Sequence, residues 1–442
     1  MIEKAKFWRW TRVKVNNKNY EEVLQSSRVN IVHEMCISPS TSHEDNKWIL
    51  NILEDLLTSV QDGRSQLKNL HVTGAGKDLV DLNSLDPVLL PKALVRLEEC
   101  SFGKNICRPL STAQLVSVFT AIEQTNNLNL KSLNFPNGDY SGVPGEVLAA
   151  ALVKLEQTNI LQTELSPDQV CSLFTKMAES SLLNLKSLNL SQMDCSSVPA
   201  ELFGAALVRI LVCIDRQGDS TVRGRDQFKS VFSKILSSEE VRLRELSLAS
   251  VSLSHISPAV VSGAAVRLER LATHSCDLSP AQLSALFTVI SGVEDKRLRA
   301  LNLGGNDLSS VPSQTLVAGI LSGLEVVMLW NTKLTTEQLT ALLAQISTRE
   351  DHRLRDLNLA NNDLSSVPTK TLVGAISGLE RIELRDASLT REQLAGIYRR
   401  VADRKCSRLK WINLTGCDPR SISPELRDRA KRNQFVDIKF VL

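Results

Sequence analysis

Aromatic residues make up only 4% of this 442-residue chain, with three tyrosines and five tryptophans. No run of about 18 apolar residues occurs, so no segment is predicted to span a membrane. The start, MIEKAKFWRW, has no apolar h-region, and no signal peptide is expected. Charge of one sign is missing too. The formal net charge is +3, which leaves no global pull toward nucleic acid. The nine cysteines are odd in number and contain no CxxC pair, arguing against a disulfide frame or a zinc site. They read as reduced thiols of a cytoplasmic protein, with the nucleus as the alternative. Phosphate loops, dinucleotide fingerprints, HExxH helices, nucleophile elbows and kinase signatures are all missing. His33, His43, His71, His255, His274 and His352 stand singly. No catalytic residue, metal ligand or cofactor is therefore assigned. The sequons at Asn189 and Asn413 fall inside predicted strands and read as chance matches.

What the chain does have is repetition. The stretch from Arg297, RLRALNLGGNDLSSVPSQTLVAGILSGLEVVMLWNTKLTTEQLTALLAQIS, returns almost unchanged from Arg353. The period is about 55 residues and holds two half-units, each a leucine strand, a turn and a helix. First half-units begin at Leu67, Leu130, Leu185, Leu243, Leu298, Leu354 and Leu409. Second half-units begin at Leu97, Leu155, Leu268, Leu324 and Leu379. Near Ile210 the pattern keeps a short apolar strand and then inserts a polar segment, residues 214–227, which is either a loop or a drifted repeat. A chain of this length ordinarily divides into two or three globular domains. A stack of repeats escapes that limit because each buries its apolar face against its neighbours.

Residues 1–66 are the least regular and are read as a capping region of degenerate repeats preceding a repeat domain at 67–442. Strands are expected at Arg12–Val15 and Val32–Ile37, and an amphipathic helix at Trp48–Val60. Phe7, Trp8 and Trp10 would cover the open end of the stack. Residues 435–442 alternate and would close the sheet. The second-half helices announce themselves with S/T-x-x-Q capping boxes at Ser111, Ser166, Ser279, Thr335 and Thr390. In first half-units, Ser-Ser-Val-Pro (Ser309–Pro312, Ser365–Pro368) is assigned the same starting role.

These features resemble the leucine-rich repeat, with helix-bearing half-units most similar to the ribonuclease-inhibitor-like subfamily. The resemblance implies an α/β solenoid: a curved horseshoe with a parallel inner sheet and helices on the convex side. It also implies that Asn306, Asn362, Cys276 and Cys417, at the ninth position of their units, fill the turn after each strand. Residues Phe7–Val15 faintly resemble the region after the box in F-box repeat proteins, and the repeats resemble the sensor half of nucleotide-binding immune receptors. The Ran GTPase-activating proteins share the repeat type, but no arginine here matches their catalytic motif.

Two charge patterns accompany the repeats. Position two is basic in first half-units (Lys68, Lys131, Lys186, Arg244, Arg299, Arg355, Lys410) and acidic in second ones (Glu98, Glu156, Glu269, Glu325, Glu380). This predicts an inter-coil salt-bridge ladder that fixes register. A second basic row, Arg242, Arg297, Arg353 and Arg408, is a weaker nucleic-acid signal. Glu294-Asp295 and Glu350-Asp351 precede two of its members and indicate a solvated, locally neutral face.

The candidate site is the concave surface. Residues between the leucines of each strand face away from the core. One row reads Arg270, Ala300, Val326, Asp356, Arg381, Trp411, the next Ala272, Asn302, Met328, Asn358, Glu383, Asn413, and the third His274, Gly304, Trp330, Ala360, Arg385, Thr415. Val326, Met328 and Trp330 make one strand apolar on both faces, and Gly304 and Ala360 are expected to leave the Trp330 ring uncovered. The partner-binding residues expected are Val326, Met328, Trp330, Asp356, Arg381, Glu383, Arg385, Trp411 and His274. The alternative is that Trp330 folds over Met328 as a surface hydrophobe. The function expected is non-enzymatic protein binding, with no nucleic-acid or membrane partner. The alternatives are substrate recognition in an F-box-type ubiquitin ligase adaptor, or a small-GTPase activator.

Overall fold

In the computed structural model the described residues are 12–16, 34–38, 47–73, 79–103, 107–135, 139–158, 165–180, 183–188, 194–209, 225–239, 241–349, 351–403, 408–418, 420, 422–432 and 436–439. Phe7, Trp8, Trp10 and most of the 214–227 insertion lie outside them. The chain forms two compact units, Met1–Val212 and Cys213–Leu442.

Each unit has its own all-parallel sheet, with strands in sequence order. The first contains β1 (Arg12–Val15), β2 (Glu34–Ile37), β3 (Asn69–Val72), β4 (Glu99–Phe102), β5 (Ser132–Asn134), β6 (Gln157–Thr158) and β7 (Ser187–Leu188). The sheet runs through residue 66, because β2 pairs with β3 in parallel register. The second contains β8 (Glu245–Ala249), β9 (Arg270–His274), β10 (Ala300–Asn302), β11 (Val326–Met328), β12 (Asp356–Asn358), β13 (Arg381–Glu383), β14 (Trp411–Asn413) and β15 (Asp437–Lys439). Among the described residues strand and helix alternate, once per half-unit, from Asn69 to Leu207 and from Arg225 to Lys439. This is a leucine-rich-repeat-like α/β solenoid. No helix among the described residues is long and apolar enough to cross a membrane.

Leucine spacing explains the core. Leu301, Leu303, Leu357 and Leu359, and the helix leucines Leu339, Leu342 and Leu343, are all at most 1% exposed. The ninth position closes each turn. The Asn306 amide donates to Thr273 O (2.7 Å) and Leu303 O (2.9 Å) while its oxygen accepts Leu278 N. One period later the Asn362 amide likewise donates to Leu329 O and Leu359 O, and its oxygen accepts Thr332 N. Cys276 substitutes a weaker donor, its thiol 3.4 Å from Leu248 O, and burial pushes that thiol up to about 12. The eighth position of every coil from Leu243 to Leu409 is left-handed: Ser250, Ser275, Gly305, Asn331, Asn361, Asp386 and Gly416. Small or short polar residues tolerate that conformation best.

The helix starts follow two designs. Ser166, Ser279, Thr335 and Thr390 form complete capping boxes. Ser111 forms half of one: its hydroxyl accepts Gln114 N, but its own amide goes to Asn83 Oδ1. First-half helices start differently from the expectation. Pro312 and Pro368 are the N-caps and offer no side-chain cap. Ser309 instead donates through its amide and hydroxyl to Asp307, and the Ser365 amide donates to Asp363. A proline's fixed φ sets the helix entry, so the preceding serine is consumed by the turn.

Candidate functional site

The strand register aligns the first two predicted rows, and backbone bonds from Ser275 to Gly304, Gly305 to Trp330, Asn331 to Ala360, Asn361 to Arg385 and Asp386 to Thr415 extend the alignment into the third. Arg270, Ala300, Val326, Asp356, Arg381 and Trp411 are successive lateral neighbours, and so are Ala272, Asn302, Met328, Asn358, Glu383 and Asn413. All nine candidate residues thus share the sheet face opposite the leucine layer, between β9 and β14.

Middle-row oxygens normally close the turn that follows. Asn302, Asn358, Glu383 and Asn413 accept the amides of Gly304, Ala360, Arg385 and Thr415. In β11 that position is Met328, which has no oxygen to offer. The coil's outward face is instead apolar, with Val326, Met328 and Trp330 each half-buried.

The Trp330 ring is not uncovered. A Cβ built on Gly304 would lie 2.1 Å from Trp330 Cε2, so the indole is seated on the bare Gly304 backbone. It leans toward His274, with ring centroids 6.0 Å apart and planes tilted by 53°. Gly304 is the missing wall that lets the ring lie down, so the ring is half-buried where it was expected to be uncovered. The His274 Nδ1 is buried without a partner beneath this contact.

On the other side of β11 a polar group begins. Arg381 Nε lies 3.4 Å from Asp356 Oδ2, and its guanidinium sits 4.7 Å over the Trp411 ring. Burial raises the Asp356 carboxyl above its usual range, against the pull of Arg381 and with a push from Glu383. Asn413 Nδ2 holds Glu383 Oε2 at 3.0 Å. Arg385 is exposed, 3.8 Å from Asp386. The face therefore offers an apolar strip of three half-buried side chains beside an aromatic-backed arginine.

The ladder is present along the strand-start edge. Glu98 accepts from Lys68 (2.6 Å) and Lys131 (2.8 Å), Glu156 pairs with Lys186 (2.6 Å), and Glu380 pairs with Lys410 (2.5 Å) and Arg355 (3.9 Å). Arg299 reaches Glu325 at 4.0 Å and otherwise donates to Lys296 O and Leu298 O.

Sequence reasoning missed two structural devices. The capping-box glutamines are staples as well as caps. Gln338 Nε2 donates to Leu308 O (2.8 Å) and Val311 O (2.6 Å) of the preceding half-unit, and Gln169, Gln282 and Gln393 repeat this geometry. The opposite junction is closed by cations. Lys154 donates to Ile122, Glu123 and Thr125 carbonyls, Arg209 to Ala178 and Ser180, and Arg267 to Ile235, Leu236 and Ser238. Each neutralises the carbonyl end of the helix before it. The signal was a basic residue just before Leu155, Ile210 and Leu268.

No family model matches the chain, and no curated protein matches it. Among solved structures it is similar to the Rad7 and Elc1 complex of yeast, with a TM-score of 0.39 and 12% identity over 97% of this chain and 80% of that one. A likeness at that level carries no argument about function. The solenoid assignment rests on the strand register and the repeat.

Proposed function

We propose that the chain is a non-enzymatic, protein-binding scaffold, built from leucine-rich repeats of the ribonuclease-inhibitor-like type and working in the cytoplasm or nucleus. The paired, helix-bearing half-units support the subfamily. The partner is taken on the open face of the sheet between β9 and β14. The observation that carries this reading is the Val326–Met328–Trp330 strip laid beside Arg381 on Trp411. Tryptophan, methionine and arginine are the residues enriched at interface cores. An indole already seated on Gly304 gives up little freedom on binding. Asp356 and Glu383 on the same face oppose a phosphate backbone and favour a protein.

The test is titration of parent and Trp330→Ala proteins against a partner recovered by pull-down and mass spectrometry. Truncating a central aromatic anchor costs about 2 kcal/mol, roughly thirtyfold in affinity. Melting curves should shift little, because Trp330 packs on backbone outside the leucine layer. Lys131→Ala, on the ladder edge, is the control and should bind as the parent does. Unchanged binding by Trp330→Ala together with a loss in Lys131→Ala would remove the open face as the site.

A further inference from the structure

The residue immediately before each unit's first leucine forms a column on the strand-start edge: Arg242, Arg267, Arg297, Gly323, Arg353, Gly378 and Arg408. Arg267 is spent on the helix carbonyls of its neighbour. The other four arginines are exposed, and among the described residues none makes an ion pair or a side-chain hydrogen bond. Arg353 is not neutralised by its sequence neighbour Asp351, whose carboxylate is held by Arg349 at 2.9 and 3.0 Å. The ladder glutamates Glu269, Glu325 and Glu380 are already paired with Arg244, Arg299 and Arg355.

From Arg297 onward the column alternates arginine with glycine. The glycines leave two dimples, one between Arg297 and Arg353 and one between Arg353 and Arg408. Their floors differ. A Cβ on Gly323 would lie 3.5 Å from Lys296 Cε, and one on Gly378 would lie 3.2 Å from Ile346 O and 3.4 Å from His352 Nε2. His352 is 4% exposed, and burial lowers its pKa against backbone hydrogen bonds at Ile346 and Leu354. The column runs toward the basic end of the chain. Residues 391–442 carry thirteen Lys or Arg against six Asp or Glu, a net of +7, leaving −4 on residues 1–390.

We propose that this edge is a second docking surface, a track for an extended acidic segment of a partner protein with a carboxylate at every third residue. The spacing carries the argument. Neighbouring strands lie about 4.8 Å apart, so arginines on alternate coils are about 10 Å apart. A polyproline-type chain returns to the same face every three residues, after about 9.3 Å. Acidic side chains at i, i+3 and i+6 therefore meet Arg297, Arg353 and Arg408 in turn, and the glycine dimples admit the chain between them. A nucleic-acid strand fits less well, because its closely spaced phosphates would fall against Glu325 and Glu380.

The experiment measures binding of a fluorescent proline-rich peptide with Glu at every third position to the full chain, by anisotropy at low and physiological salt. Comparison peptides carry the same charges at every second or fourth position, and a single-stranded oligonucleotide of equal charge is a further probe. The every-third peptide is expected to bind tightest, to weaken with salt, and to lose about five- to tenfold in affinity in Arg353→Glu. Arg353→Gln should lose less. Lys333→Glu, an exposed change near Asp307 away from this column, should leave binding unchanged, and melting curves confirm folding of all variants. Equal affinity for the respaced peptides, tighter binding of the oligonucleotide, or indifference to Arg353→Glu would each overturn the proposal.

Discussion

Replacing Gln338 by Glu tests the staple directly, because one nitrogen becomes one oxygen. In the parent, Gln338 is 2% exposed and makes three bonds with its side chain. It donates twice, to Leu308 O and Val311 O, and accepts Thr335 N at 2.8 Å. Glu keeps the acceptor role and loses both donations. Val311 O loses this donor and Leu308 O keeps only the Val311 amide at 3.0 Å, and a buried acceptor left unsatisfied costs about 1–3 kcal/mol. Both carbonyls also face an oxygen at 2.6–2.8 Å, where a carboxylate repels them. Relaxation at the shallow cleft between residues 309–315 and 335–338 recovers part of this, so a loss of about 2–4 kcal/mol is expected at neutral pH. The loss should depend on pH with a defined sign. A carboxyl facing carbonyls is raised above its unfolded value of about 4.3. Its stability contribution is therefore present below that pH, where a protonated carboxyl restores one donation, and is lost as pH rises. Thermal melting of Gln338→Glu against the parent from pH 4 to 8 reads the trend. Amide exchange over residues 308–340 shows whether opening is local, as a stack of nearest-neighbour repeats requires. A variant as stable as its parent at pH 8 would mean that the glutamine does not bind those carbonyls.

Leu357→Ala, at a site with no exposure, should lower stability by about 2–5 kcal/mol in the same melting assay. Arg299→Glu should destabilise by less than about 1 kcal/mol, partly restored by Glu325→Lys. Zero coupling in that double mutant cycle would separate the two residues despite their 4.0 Å contact. Glu98, held at about 2 by hydrogen bonds from Lys131 and then Lys68, contributes stability above the free value of 4.5 that fades as pH falls toward 2. Acid unfolding of Glu98→Gln should accordingly be less steep across that window, and identical acid profiles would refute the pairing.

Much of this architecture was legible because repeats report themselves several times. Leu301 and Leu357, or Gln338 and Gln393, occupy equivalent places, so one spacing error would have shown in the next period. The parallel rows from Arg270 to Trp411 follow from that spacing alone. What stayed hidden involves contact between half-units. A capping glutamine looks the same in sequence whether its amide meets water or, as at Gln338, two neighbouring carbonyls. Pro312 and Ser309 competed for one helix start, and only backbone geometry decides that the proline wins. At the candidate site the sequence shows Gly304 and Trp330 as laterally adjacent, but a missing side chain has two readings: room for a partner or room for the ring.

The two kinds of junction set the quantum by which such a chain can grow. A second half-unit needs the Leu308 and Val311 carbonyls of a first half-unit before it, and the following first half-unit supplies the cation or hydroxyl, such as Arg267 or Ser322, that closes the helix behind. Duplicating or deleting a whole pair regenerates matched seams on both sides. Removing a single half-unit would join like to like, leaving one glutamine facing the wrong turn and one helix end open. Gene length in a lineage of such proteins should therefore change in steps of two coils.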